Sequence, residues 1–200
     1  MRKIVVLTMV SLDGVMQAPS GPEEDTSLGF KYGGWTVPYV DESLGDIIDE
    51  ELSVPVDLLL GRKTYEIFAP YWPKQTGTIA DSFNKAKKYV VSDKTVDLTW
   101  KESILLSDDV VANIKALKEE EGPMLQVHGS GKLVQTLLKN DLVDEIRLRI
   151  FPVTIGIGQR LFAEGTLPAA FELLESKALP SGVLIANYKR SGEFKTGSFD

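Results

Sequence analysis

Residues 56–68, VDLLLGRKTYEIF, carry the clearest indication of the fold class. The run 56–60 is almost entirely apolar, which is typical of a strand covered on both faces. Gly61 follows this run, and a short helix is predicted to open directly after it. A strand that passes straight into a helix predicts a βαβ unit, in which the next strand lies parallel to the first.

The same succession recurs along the chain. The β-branched, apolar run 4–10 predicts a central strand, and the run 124–128 predicts another. Gly129, Ser130 and Gly131 follow at once and lead into a further predicted helix. Strands and helices that alternate in this way predict an α/β fold with a central, mostly parallel sheet flanked by helices.

The C-terminal part follows a different pattern. Apolar residues alternate with arginine over residues 146–150, which predicts a half-buried strand and leaves a dimer edge open as an alternative. The segments 171–177 and 183–190 are separated by a proline–glycine turn, which predicts an antiparallel hairpin at one edge of the sheet. We therefore expect one domain over residues 1–190 and a polar tail over residues 191–200.

The composition limits the chemistry that the chain can perform. Its 200 residues include no cysteine and one histidine, and the formal net charge is −7. No thiolate nucleophile exists, and no metal site is expected. The acidic balance disfavours nucleic acid and anionic membranes, and no apolar run of about 18 residues predicts a membrane span. We expect a cytoplasmic protein with a small-molecule substrate, whose reactive group arrives as a bound cofactor.

Two strand-to-helix junctions carry residues that suit a phosphate-bearing cofactor. Glycine lets the backbone approach a ligand closely, and a helix N-terminus offers unpaired N–H groups to phosphate. The alternatives are an ordinary tight turn at one junction and ordinary surface cations at the other. The predicted cofactor-binding residues are Gly61, Arg62, Lys63, Thr64, Ser92, Lys94, Gly129, Ser130 and Gly131.

A long segment, residues 11–40, separates the first strand from the first predicted helix. Structureless segments longer than about 12–15 residues are often functional, so this segment is expected to cover a ligand. The alternative is that its aromatic residues only fix it to the body of the domain. Trp35 in this segment and Tyr65 after the second strand are candidates to stack on a flat ring, with simple packing as the alternative.

Several short motifs occur in a fixed order along residues 4–190. With them, the sequence resembles the dihydrofolate reductase superfamily, in particular the branch that contains the C-terminal reductase domain of bifunctional riboflavin-biosynthesis proteins. The motifs are Ser11-Leu12-Asp13-Gly14, Gly61-Arg62-Lys63-Thr64-Tyr65-Glu66, Val90-Val91-Ser92, Gly129-Ser130-Gly131, Asp144-Glu145-Ile146, Pro152 with Gly156-Ile157-Gly158, and Leu161-Phe162.

The resemblance implies a dihydrofolate reductase-like fold and NADPH as the hydride donor. By motif position, Arg62 and Ser92 meet the 2′-phosphate region of the cofactor. Lys63 and Thr64 lie by the pyrophosphate at one helix start, and residues 129–131 hold it from the other. The preference for NADPH over NADH stays open, because Asp93 adjoins Ser92 and its negative charge is unfavourable beside a 2′-phosphate.

The implied function is an NADPH-dependent reductase of a small, flat heterocycle of pyrimidine or pterin type. The alternative within the same family is the 5-amino-6-(5-phosphoribosylamino)uracil reductase of riboflavin biosynthesis. A non-catalytic nucleotide-binding module is the alternative outside enzymes, and a homodimer is compatible with each of these.

The proton donor is not fixed by the motifs. Asp46 and Asp41 belong to the predicted helix before the second strand, where folate reductases place a carboxylic acid. Asp13 belongs to the signature that follows the first strand. The simpler interpretations are a helix N-cap for Asp41, solvent exposure for Asp46 and a turn for Asp13.

Overall fold

The computed structural model describes residues 1–199, in which eight strands form one sheet. The strands are β1 (Ile4–Ser11), β2 (Val56–Gly61), β3 (Lys88–Val91), β4 (Ser103–Leu106), β5 (Met124–Val127), β6 (Glu145–Phe151), β7 (Phe171–Ala178) and β8 (Leu184–Arg190). The α-helices are α1 (Glu42–Glu51), α2 (Arg62–Phe68), α3 (Thr78–Lys85), α4 (Val110–Glu119) and α5 (Gly131–Lys139). Residues 191–199 belong to no helix or strand.

The strand order is β4-β3-β2-β5-β1-β6-β8-β7. Every pair from β4 through to β6 is parallel, whereas β8 pairs antiparallel with both β6 and β7. This arrangement confirms the predicted α/β fold with antiparallel C-terminal strands. β1 lies near the middle of the sheet and is buried along almost its whole length, because both of its faces are covered.

Helices cover the sheet on both faces. On one face, α4 and α5 bury apolar residues at helical spacing, such as Ile114 and Leu137, against β1 and β5. On the other face, α2 and α3 pack on Leu58 and Leu60 of β2, and α1 packs its Leu44 near Phe151. Among residues 1–199, no helix is both long and apolar enough to cross a membrane.

The position of β6 corrects one prediction from the sequence. β6 lies between β1 and β8, so the alternative that it forms a dimer edge is wrong. Its charged face is also more buried than the alternation predicted: Arg149 is 4% exposed and Glu145 is 6% exposed. The reason is that the C-terminal end of α1 lies over this face, where Glu51 pairs with Arg149. The edge strands of the sheet are β4 and β7.

Candidate active site

A cavity of about 240 Å³ lies beside the carboxyl ends of the central strands. Its floor comes from β1, β5 and β6, and its walls come from α1, α2 and α3. The loop segment (residues 12–40) forms the roof through Met16 to Ser20, Glu24 and Asp25. Ligands of open α/β sheets bind at this edge, so the cavity is the candidate active site.

The two glycine junctions interlock at the rim of this cavity. The Gly61 N–H donates to the Gly129 carbonyl at 3.1 Å. A side chain on Gly61 would overlap the Ser130 hydroxyl, and one on Gly129 would come within 2.7 Å of Thr64 Oγ1. Gly129 also has φ +145°, and its peptide bond to Ser130 is cis. The sequence placed these motifs on separate strands, and the structure brings them into direct contact.

Lys63 is held by the loop segment. Its Nζ donates to Asp25 Oδ1 and to Ser27 Oγ, each at 2.6 Å. Lys63, Thr64 and the residues of the second junction line the cavity. The structure therefore places a cation, a hydroxyl and the N-terminus of α5 at the cavity, and the cation already forms an ion pair with the Asp25 carboxylate of the loop segment.

Four predicted cofactor residues lie outside the cavity lining: Gly61, which contacts the second junction as described above, and Arg62, Ser92 and Lys94. Arg62 is partly exposed and forms an ion pair with Glu66 at 2.7 Å. The Ser92 hydroxyl is buried in its own turn, where it donates to the Lys94 carbonyl at 2.8 Å and accepts from the Lys94 N–H at 3.0 Å. Lys94 is exposed. The Ser92 side chain thus stabilises the turn that presents Lys94.

Neither aromatic candidate reaches the cavity, so the structure favours the packing alternative for both. Tyr65 is 1% exposed, and its hydroxyl accepts a hydrogen bond from the Trp100 N–H at 3.1 Å. Trp35 packs edge-on against Phe151, with ring centroids 5.5 Å apart. Its Nε1 donates to the Gln17 carbonyl at 2.8 Å, which ties the loop segment together.

The three acids proposed from the sequence also lie away from the cavity lining. Asp13 accepts hydrogen bonds from Ser11 Oγ at 2.6 Å and from the Ile155 and Gly156 N–H groups. The bond from Ser11 is the largest cause of a pKa of about 2 for Asp13, against the opposing effect of burial.

The other two acids have the simpler roles that were the alternatives. Asp41 caps α1 by accepting from the Leu44 N–H at 2.9 Å. Asp46 is exposed on α1. None of the three carboxyl groups predicted from the sequence therefore faces the cavity.

Two adjacent carboxyl groups of the loop segment do line the cavity, and their pKa values shift in opposite directions. Burial raises the pKa of Glu24 above its usual 4.5, although the Ser20 and Gly21 N–H groups bond to it. Burial also acts to raise the pKa of Asp25, but hydrogen bonds from Lys63 and Ser27 outweigh it and lower that pKa. Paired acids with opposite shifts are typical of sites where one carboxyl holds a proton and its neighbour stays ionised.

Comparison with known families decides the assignment of the chain. The model of the RibD C-terminal domain family matches residues 2–185. The chain belongs to the RibD C-terminal domain family. The uncharacterized protein YyaP of Bacillus subtilis is 25% identical over 197 residues, which cover 96% of each chain.

Solved structures share the fold of this RibD C-terminal domain. One is a protein assigned to riboflavin biosynthesis from Shewanella sp. PV-4, with a TM-score of 0.73 at 19% identity; the match covers 95% of this chain and 99% of that one. Dihydrofolate reductase from Enterococcus faecalis, complexed with NADP(H) and RAB-propyl, has a TM-score of 0.60 at 14% identity, with coverage of 95% and 97%. These matches confirm the dihydrofolate reductase-like fold that the motifs implied.

The polar floor of the RibD C-terminal domain cavity was not among the features predicted from the sequence. Glu51 from the end of α1 accepts from Arg149 of β6, and Arg147 lies 3.9 Å from the same carboxylate. Gln126 of β5 and His128, which directly follows this strand, complete the floor. One signal was available: Arg147 and Arg149 lie two positions apart in β6, which places both charges on one face of the sheet.

His128, the single imidazole of the chain, lies in the cavity floor. Burial, with a smaller contribution from the Arg149 charge, lowers its pKa to about 3. Its ring packs beside Phe83, with centroids 5.1 Å apart, and its Nε2 lies 3.2 Å from Gln126 Oε1. The ring is therefore neutral at neutral pH, and it is unsuited to donating a proton there.

Proposed function

We propose that this protein is an NADPH-dependent oxidoreductase that reduces a small, flat heterocycle of pyrimidine or pterin type. The observation that carries the proposal is the contact between the two glycine junctions beside Lys63, at one end of a cavity with a polar floor. Membership of the RibD C-terminal domain family and the fold shared with an NADP(H)-bound dihydrofolate reductase support it.

The residues present fit a dinucleotide. A Cβ at Gly61 would meet Ser130, and one at Gly129 would meet Thr64, so glycine at both positions lets the two junctions pack directly against each other and brings the two helix starts together. Ser130 precedes α5 without capping it through its side chain, so the first N–H groups of this helix lack a side-chain cap. Such N–H groups favour an anion.

Each residue has a distinct task in binding the cofactor. Lys63, Thr64 and the start of α5 would hold the pyrophosphate by charge and by N–H donation. Arg62 and Lys94, both accessible on neighbouring strand ends, would meet the 2′-phosphate that distinguishes NADPH from NADH. When bound, the nicotinamide supplies the hydride.

The cavity suits a small substrate that is shielded from water. Its volume of about 240 Å³ lies below the range of typical ligand pockets, which is about 300–1,000 Å³. Glu24 is the lining carboxyl whose pKa is raised, so it is the side chain suited to hold a proton for the reduced ring. Glu51 is instead compensated by arginine.

Cofactor binding is the first test. Titration with NADPH and NADH, followed by tryptophan fluorescence and checked by calorimetry, should give a Kd for NADPH well below millimolar. Arg62→Ala should weaken NADPH about tenfold more than NADH, because a charge-assisted contact to the 2′-phosphate contributes about 1.5–3 kcal/mol. Equal weakening of both cofactors would remove Arg62 from that role.

Turnover separates the catalytic proposal from its alternative. NADPH oxidation is followed against a panel of oxidised pterins and pyrimidines, with the heat-denatured protein as the control. Oxidation that depends on one ring class supports the reductase. Tight NADPH binding without oxidation against any member of the panel would favour a non-catalytic nucleotide-binding module, and absence of binding to either cofactor would contradict both.

A further inference from the structure

The floor of the cavity carries two buried hydrogen-bond donors without a partner. Gln126 is 0% exposed, and its Nε2 has no partner among residues 1–199. Arg149 is 4% exposed, and its Nε is likewise unpartnered within the described chain. Both residues line the cavity. Because buried polar groups are nearly always satisfied, the two donors point to a ligand that accepts hydrogen bonds from them.

His128 determines which end of the Gln126 side chain is free. The neutral imidazole has one N–H, and with Nε2 at 3.2 Å it donates to Gln126 Oε1. The His128 ring is packed beside Phe83 and Phe68, which restrict its movement. An amide whose oxygen is engaged in this way presents only its NH₂ group to a ligand.

Glu51 fixes Arg149 in the same manner. The Glu51 carboxylate accepts from Arg149 Nη2, and Arg147 Nη1 lies 3.9 Å from its other oxygen. The carboxylate is therefore occupied by guanidinium groups, and the Arg149 Nε remains as a donor. The floor thus offers N–H groups from two residues, while the acceptors of the same side-chain pairs, Gln126 Oε1 and the Glu51 carboxylate, are already engaged.

We infer that Gln126 and Arg149 are specificity-determining residues, which select a ring whose inner edge carries hydrogen-bond acceptors, and that His128 is the residue that positions Gln126. An exocyclic carbonyl oxygen accepts a hydrogen bond from either donor. An amino group at the same place would turn its own N–H groups towards the N–H groups of Gln126 and Arg149, and no hydrogen bond could form between them. The inference rests on the proposed function, since the ring is taken to be the hydride acceptor.

A matched pair of ligands tests the preference on the unmodified protein. Lumazine, a dioxo-pteridine, and its diamino analogue have the same ring system and differ in the edge. Trp72 lines the cavity whereas Trp35 and Trp100 do not, so quenching that is lost in Trp72→Phe reports occupancy of this cavity. Lumazine should bind at least tenfold more tightly. Equal affinity, or tighter binding of the diamino ring, would overturn the inference.

Two variants test the residues themselves. Gln126→Glu replaces the donor by an acceptor of the same shape and should reverse the preference between the two rings. His128→Phe keeps an aromatic ring in place but removes its N–H. The Gln126 amide can then flip, so the ratio of the two ligand affinities should fall towards unity. A merely structural role of His128 would weaken both ligands equally. An unchanged ratio in both folded variants would contradict the assignment, and if a variant fails to fold, the ratio of the unmodified protein decides.

The NADPH titration keeps this test separate from that of the proposed function. If NADPH binds and the two rings bind equally, only the acceptor-edge inference fails. If neither NADPH nor NADH binds while lumazine is still preferred, the reductase proposal fails and the selectivity of the floor stands.

Discussion

Lys63 has two competing partners in the proposed function. In the structure its Nζ is bound by Asp25 and Ser27 of the loop segment, at 2.6 Å each. A cofactor phosphate would use the same charge. The Asp25 carboxylate thus occupies the contact that a phosphate oxygen would take, and binding of the cofactor has to displace it or share the lysine with it.

Substitutions at this ion pair should act in opposite directions. Lys63→Met should weaken NADPH binding at least tenfold, because a hydrogen bond to a charged group contributes about 1.5–3 kcal/mol. Asp25→Asn should strengthen NADPH binding a few-fold, because the competing charge is lost. Ser27→Ala is the matched control, since it removes a neutral contact to the same Nζ, and its effect should be smaller. If Asp25→Asn weakens binding as Lys63→Met does, Asp25 supports the bound state and does not compete with it.

Glu24 should lower the stability of the protein at neutral pH. Its pKa in the folded protein is raised by burial, above the usual 4.5. The protonated form is therefore favoured by folding, and stability declines as pH rises through the raised pKa. Glu24→Gln keeps the acceptor for the Ser20 and Gly21 N–H groups and removes the charge. It should raise Tm at pH 7 to 8 and leave Tm nearly unchanged below pH of about 4.5.

The same variant should lower turnover in the reductase. A general acid contributes about 10²–10⁴-fold to rate, so NADPH oxidation should fall by at least tenfold while the Kd for NADPH stays similar. Glu23→Gln, at an exposed neighbouring position, is the control. A lower Tm for Glu24→Gln across the whole pH range would show that the carboxylate stabilises the loop, against the direction argued here.

Among the secondary-structure elements, the strands that pass directly into helices can be predicted from the sequence alone. The junctions at Gly61 and Gly129 are predictable because an apolar run followed by glycine and a helix signal is a local pattern. Their mutual contact follows once both strands are placed in one parallel sheet.

The polar floor could not be predicted in the same way. Glu51, Gln126 and Arg149 come from a helix and two separate strands, and their meeting at one cavity depends on the strand order and on the position of α1. The aromatic side chains of Trp35 and Tyr65 are equally compatible with a ligand and with the core, and the structure places both in packing contacts.

The interlocked junctions should tolerate no added side chain. In Gly61→Ala, the new Cβ would lie 2.9 Å from the Ser130 backbone nitrogen and overlap the Ser130 hydroxyl. Since overpacking costs about 1–3 kcal/mol, urea unfolding should show a loss of this size, and NADPH binding should weaken as well. Gly45→Ala is the control, because Gly45 lies within α1 with open space around it; that variant should gain up to about 1 kcal/mol. Equal stability of the two variants would contradict the close contact between the junctions.

For the whole molecule, β7 is the strand most suited to contact a second copy. It is an edge strand, and its Leu173 and Leu174 are about half exposed, at 50% and 49%. Its sequence, FELLESKA, is complementary to itself in charge. If two copies pair antiparallel about a point between Leu174 and Glu175, Glu172 faces Lys177 of the partner subunit. The two-fold symmetry of such a pair repeats this Glu–Lys contact on the other side. We propose this antiparallel pairing of β7 as the interface of a homodimer.

Light scattering should therefore find a dimer at micromolar concentration, and charge substitutions should control it. Glu172→Lys should promote dissociation, because like charges directly opposite one another on paired strands are destabilising. The double variant Glu172→Lys with Lys177→Glu should restore the dimer. Glu172 also pairs with Lys189 within the chain, at 3.0 Å, and both variants lose that contact, so it cannot account for a difference between them. A monomer in the unmodified protein, or a double variant as dissociated as the single one, would exclude the β7 edge as the interface.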